Sequence, residues 1–154
     1  MSHRRAYPAT RGFTAIEMVI VVVLVGILTT VAVPFIRNGT IKSNVRGAAS
    51  AIASLHAVAR NAAVQRGRVA VLVLKGSSAT VLVVLKRSGS TVVDTVGAVE
   101  NLGSRFGVAL STTQDSIIFT PRGIGTSASN TTVVVSRSSV ADTVTIAAAG
   151  RLVR

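Results

Sequence analysis

Gly12-Phe13-Thr14-Ala15-Ile16-Glu17-Met18 opens an apolar run that closes at Ile36, and from Met18 to Ile36 no side chain is charged. Those 19 residues would reach about 28 Å as an α-helix at roughly 1.5 Å per residue, close to the ~30 Å hydrocarbon core of a bilayer. His3, Arg4, Arg5 and Arg11 precede the run with no acid among them, which places the N-terminus on the cytoplasmic side. Glu17 stands alone at the head of the apolar segment. A charged residue costs roughly 2.5–3.5 kcal/mol at the centre of a membrane helix. Near a helix N-terminus the dipole offsets part of that, and the remainder calls for a cationic partner. A secretory signal would carry a small-residue cleavage site after the apolar run. Here Val33-Pro34-Phe35 occupies that place, and the small residue, Gly12, comes before the run. Cutting at Gly12 leaves the hydrophobic helix on the mature chain; the alternative is an uncleaved single-pass anchor.

From Arg37 the pattern changes. Ile41, Val45, Ala48, Ile52, Leu55, Ala59 and Ala62 recur at steps of three and four, an amphipathic helix with a narrow apolar stripe. Lys42, Arg46, Arg60 and Arg66 lie mostly off it. The helix is expected from Phe13 to about Arg66, with a bend near Pro34 or Gly39 and a stop at Gly67. His56 has no acid or cysteine beside it in sequence and reads as a helix-surface or core-edge histidine rather than a ligand.

Beyond Gly67 the period becomes strand-like. Strands are expected at 69–74 and 79–85, joined by a turn at 75–78. A second turn at 86–90 leads into a third strand at 91–93. The stretch 96–114 reads as loop with a short strand at 106–110. A strand at 117–120 ends at Pro121-Arg122-Gly123-Ile124-Gly125. A last hairpin, 132–136 with 143–147, is joined through 138–142. Short, closely spaced strands favour one antiparallel sheet or two small ones.

Composition narrows the function. The 154 residues contain no cysteine, which removes disulfides and thiol chemistry. Net charge is +12, and removing Arg4, Arg5 and Arg11 with a leader still leaves +9. So basic a chain favours anionic partners: nucleic acid, lipid headgroups or acidic proteins. Tryptophan is absent and the five Phe and Tyr residues are scattered, so base stacking on single strands has little to work with. The acids beyond Glu17 are Asp94, Glu100, Asp115 and Asp142, none spaced for a catalytic pair, and there is no metal-ligand cluster, phosphate loop or nucleophile elbow. An enzyme, a metal centre and a cofactor are not expected.

Gly12-Phe13-Thr14-x-Ile16-Glu17-Met18, with Gly26-Ile27-Leu28 and Ala32-Val33-Pro34, resembles the class III signal of type IV pilins and type II secretion pseudopilins. In that family a membrane-embedded prepilin peptidase cuts after the glycine and N-methylates the new terminus. The resemblance implies a cut between Gly12 and Phe13, and Glu17 as the partner of a neighbouring subunit's amine during filament assembly. It implies an α+β, type IV pilin-like fold: a long N-terminal helix packed on a C-terminal antiparallel sheet. The corresponding segments are a basic leader 1–12, a membrane and filament-core helix 13–36 bending at Pro34, an amphipathic half 37–66 and a β-rich domain 67–154.

Phe119-Thr120-Pro121-Arg122-Gly123 and the tail Gly150-Arg151-Leu152-Val153-Arg154 are similar to the minor pseudopilin GspH/FimT subfamily. That likeness implies a minor subunit of a type II secretion pseudopilus or a type IV pilus. Its partners would be the prepilin peptidase, other pilins, an inner-membrane assembly platform and membrane lipid, and the β domain would lie in the periplasm. FimT-type members are associated with DNA uptake through a basic Gly-Arg-x-Arg tail, which makes Arg151, Arg154, Arg122 and Arg137 candidate contacts to double-stranded DNA. In this chain the second tail arginine is displaced by one position, and on a strand that shift puts Arg151 and Arg154 on opposite faces. A plain last strand with Leu152 packed inward reads the same residues without a ligand.

Overall fold

The computed structural model describes residues 12–86 and 93–153. The leader up to Arg11, most of the expected second turn, Thr91, Val92 and Arg154 lie outside the described residues. By internal contacts the chain divides into two compact units, Met1–Asn38 and Gly39–Arg154.

In the first unit, helix α1 (Ala15–Arg66) begins, and it continues through Pro34 and Gly39 as unbroken helix. Its apolar segment is long enough to cross a membrane and none of it is buried. Such a row of exposed valines, leucines and isoleucines is stable only against lipid or other apolar helices.

In the second unit, α1 buries Val45, Ala48, Ala49, Ile52, Ala59, Ala62 and Ala63, with Ile41 and Leu55 half-buried. The expected stripe is therefore the buried one, widened by Ala49 and Ala63. Its many alanines let the helix backbone approach the sheets closely. The helix ends as Gly67 predicts. Gly67 has φ of +59°, its N–H donates to Val64 O at 3.4 Å, and Arg68 N–H donates back to Ala63 O at 3.2 Å. These are the paired bonds of a Schellman cap.

Two four-stranded antiparallel sheets follow. β1 (Val69–Lys75), β2 (Thr80–Lys86), β3 (Val93–Asn101) and β5 (Ser116–Phe119) form the first, in the order β3-β2-β1-β5. β4 (Ala109–Thr112), β6 (Thr131–Arg137), β7 (Val140–Ile146) and β8 (Leu152–Val153) form the second, in the order β4-β6-β7-β8. Inward residues of both sheets join the helix stripe in one core that includes Leu72, Leu74, Leu85, Ile117, Phe119, Val133, Val135 and Ile146.

Three expectations are corrected. Residues 96–101 are not loop: β3 runs to Asn101, exposed along nearly its whole length and bulged opposite Val81–Val83, with Gly97 at φ +75°. Leu102–Phe106 is a short helix, α2, rather than loop leading into a strand at 106. Asn101 Oδ1 accepts the Ser104 N–H at 2.9 Å at its start, and Gly107, at φ +64°, ends it. The hairpin between β6 and β7 turns on Ser138 and Ser139 alone, with Ser138 at φ +53°, so Val140 to Asp142 are strand rather than connector.

Candidate functional site

The N-terminal site lies in the first unit. Gly12, Phe13, Thr14 and Glu17 line one shallow concavity. Thr14 caps α1: its Oγ1 accepts the Glu17 N–H and its carbonyl accepts the Met18 N–H, both at 3.2 Å. The cap satisfies donors that would otherwise face an apolar phase unpaired. Thr14-x-x-Glu17 is the spacing of a capping box, and the Glu17 side chain is exposed. Phe13 is 74% exposed. Gly12, Phe13, Thr14 and Glu17 are thus all exposed at the head of the apolar run.

The C-terminal site lies in the second unit, where the tail folds back onto α1 and β5. Phe119 is fully buried at the end of β5. Its ring meets the edge of His56 with centroids 5.2 Å apart and planes at 76°. His56 Nε2 donates to Gly150 O at 3.0 Å, which fixes the neutral tautomer with its proton on Nε2. His56 is only 6% exposed, so it is a core residue, not the surface or core-edge histidine expected. Burial pushes its imidazole below the usual 6.5; the nearby Arg60 acts in the same direction, and the Gly150 carbonyl opposes them. Sequence reasoning missed this contact because its two ends are 94 positions apart.

The glycines here are set by space. A Cβ on Gly125 would lie 2.5 Å from Gly150 N and 2.8 Å from Ala148 O, and one on Gly123 would lie 2.9 Å from Val64 Cγ2. Gly150 itself sits at φ +85°. Gly125 N–H donates to Ala149 O at 3.0 Å and Ala147 N–H to Arg151 O at 2.8 Å, so the turn hands the chain to β8, where Leu152 packs on the core. The Gly123-x-Gly125 stretch after β5 is a docking point for the tail.

Around this node the exposed cations gather. Arg122 precedes Gly123 and Arg151 follows Gly150, both exposed. Arg60, exposed on α1, lays its side chain against Gly123; it was not among the candidates from sequence, because the contact joins helix to loop. Arg137 lies elsewhere: its Nη1 donates to Phe106 O at 2.7 Å and its guanidinium packs over Gly107. Arg154 lies outside the described residues. Among the described residues no group of three or more His, Cys, Asp or Glu could hold a metal ion.

The family model described as type II transport protein GspH matches residues 48–150. The chain belongs to the GspH family. The match takes in His56, Phe119, Gly123, Gly125 and Gly150 and begins within α1, so the Gly12–Glu17 motif lies outside it. Members are structural pilins and pseudopilins rather than known enzymes. Two crystal structures of the type IV minor pilin FimU of Pseudomonas aeruginosa share the fold. One is 17% identical with TM-score 0.56, covering 71% of this chain and 87% of FimU. The other is 18% identical with TM-score 0.53, covering 70% and 89%. A search of the curated proteins finds no match. A GspH-family domain on a long apolar-headed helix is a minor pilin or pseudopilin, and the α+β pilin fold expected from sequence is the one observed.

Proposed function

We propose that this GspH-family protein is a filament subunit made as an inner-membrane precursor. Prepilin peptidase cuts after Gly12 and methylates Phe13. The subunit is then extracted, by an assembly platform, into a pseudopilus or pilus that serves protein secretion. The observation that carries this reading is the exposed helix Met18–Ile36, free of charge and headed by Gly12-Phe13 and Glu17. A carboxylate on the first turn of a membrane helix is stabilised by a neighbour's new amino terminus, and a filament supplies one at each step. Before assembly the helix anchors the chain with its β domain in the periplasm. Intact-mass analysis of the membrane-extracted protein tests the reading: the expected chain starts at N-methylated Phe13. A chain that keeps residues 1–12 in cells with active prepilin peptidase overturns it.

The cluster of Arg60, Arg122 and Arg151 around the tail supports a second reading, a FimT-like minor pilin that binds double-stranded DNA. The cations are exposed and close to one node, as phosphate contacts require. Its test is the salt dependence argued in the Discussion.

A further inference from the structure

Lys42 and Arg46 stand one turn apart on the exposed face of α1, in the second unit, and share a shallow groove with Gly39, Ser43 and Ser50. Neither forms an ion pair among the described residues; the pairs there are Arg68–Asp94 and Arg105–Glu100. No acid occurs anywhere between Glu17 and Asp94. The helix therefore offers two unneutralised cations on a surface that its neighbouring small side chains leave open to close approach.

We propose that this face docks the acidic face of a different filament subunit, so that the chain is placed in its filament by charge rather than by self-association. The inference rests on the filament reading above. A second copy is a poor occupant. The chain carries 17 Lys and Arg against 5 acids, and Asp94 and Glu100 already face arginines of their own. Bringing two such surfaces together costs free energy through like-charge repulsion, which suppresses the wrong partner. Lipid is a poor occupant too. At roughly 1.5 Å per helical residue, Lys42 and Arg46 come about 9 and 15 Å along the helix after Ile36, more than the ~5–8 Å of headgroup on one side of a bilayer. An acid-rich protein surface meets both requirements, and unpaired lysine and arginine at an interface raise the association rate toward it.

The full-length chain, carrying a photo-crosslinking benzophenone residue at exposed Ser43, is expressed in its own host and irradiated in membranes and in sheared filaments. The expected adduct joins it to a different membrane-anchored subunit, through a peptide with more Asp and Glu than Lys and Arg. Lys42→Glu with Arg46→Glu is expected to lower the adduct roughly tenfold, as for two reversed interfacial charges. Lys42→Gln with Arg46→Gln should give an intermediate loss, and Lys42→Arg none. An adduct with a second copy, with lipid or with nucleic acid overturns the proposal, as does equal cross-linking by the charge-reversed chain. Processing at Gly12 and recovery of the wild-type chain in sheared filaments report on the filament reading separately. If those fail, both ideas fall; if they hold and charge reversal changes nothing, only the charge-selected docking falls.

Discussion

His56 was the side chain least legible in the sequence, and it carries the most testable residue-level chemistry. Because burial holds its folded-state pKa below 6.5, the unfolded chain takes up a proton before the folded one does. Stability is then full above about pH 6.5 and falls as pH drops through that value. The only other histidine is His3, in the leader. Thermal melts of the fragment from Arg37 onward, at about pH 7.5 and pH 5.5, should show a lower melting temperature at the acid end. His56→Gln should reduce that difference, since an amide can still donate to Gly150 O but does not titrate in this range. An unchanged pH dependence in the variant would show that the acid loss comes from the carboxylates. Gly125 makes a second case at this scale. The atoms that a methyl group would strike belong to the backbone of Gly150 and Ala148 and cannot swing aside. Gly125→Ala should therefore cost about 2–3 kcal/mol, read from chemical denaturation of the same fragment. A cost below about 0.5 kcal/mol, the range of ordinary surface changes, would mean that the tail does not dock on Gly125 in solution. The sequence marked this glycine as a turn; only the fold reveals that a second chain segment passes within contact of it.

At the scale of elements, legibility followed how strongly each segment's periodicity is tied to a buried face. α1 was read closely, from the charge-free run, the stripe beginning at Ile41 and the Gly67 stop, because each is a local signal. β3 was not, since both of its faces are largely exposed and Val96 to Asn101 show no alternation for a reader to find. α2 was missed because five residues are too few to show a helical period, although Asn101 and Gly107 frame it with a capping residue and a glycine stop. The N-terminal end of α1, where the proposed assembly contact lies, lends itself to a prediction of its own. Glu17→Leu removes a charge from an apolar segment and keeps the Thr14 cap, which uses the backbone N–H of residue 17. Membrane insertion should be unchanged or improved, while recovery in sheared filaments should fall, because the neighbouring amine loses its counter-charge. Glu17→Asp should be milder. Filaments containing wild-type amounts of the Glu17→Leu chain would remove Glu17 from the assembly contact.

The whole molecule combines a neutral, apolar membrane segment with a domain that keeps most of the +12 charge. Its two-sheet build was foreseen as one of two options; which strands share a sheet was not, since β5 returns to β1 across the intervening β4, a long-range choice that no local pattern records. The charge bears on the DNA reading through numbers rather than sign. Any domain this basic binds duplex DNA weakly, so binding alone decides nothing. What distinguishes a site from diffuse attraction is how many phosphates particular side chains neutralise. Each phosphate contact contributes about 0.9 to the slope of log K against log salt. Arg122→Gln with Arg151→Gln in the fragment should therefore lower the slope by about two if both contact phosphate, and Arg60→Gln by about one more. Arg137→Gln serves as the internal control: its guanidinium holds the Phe106 carbonyl, so the variant should lower the melting temperature more than the slope. Without a reading helix or stacking aromatics, affinity should not depend on base sequence. Equal slopes for the wild-type and the Arg122–Arg151 double variant would assign the binding to the general charge of the domain. The exposed arginines around Gly150 would then be solvated surface on a minor pilin or pseudopilin, and the DNA-receptor reading would be abandoned.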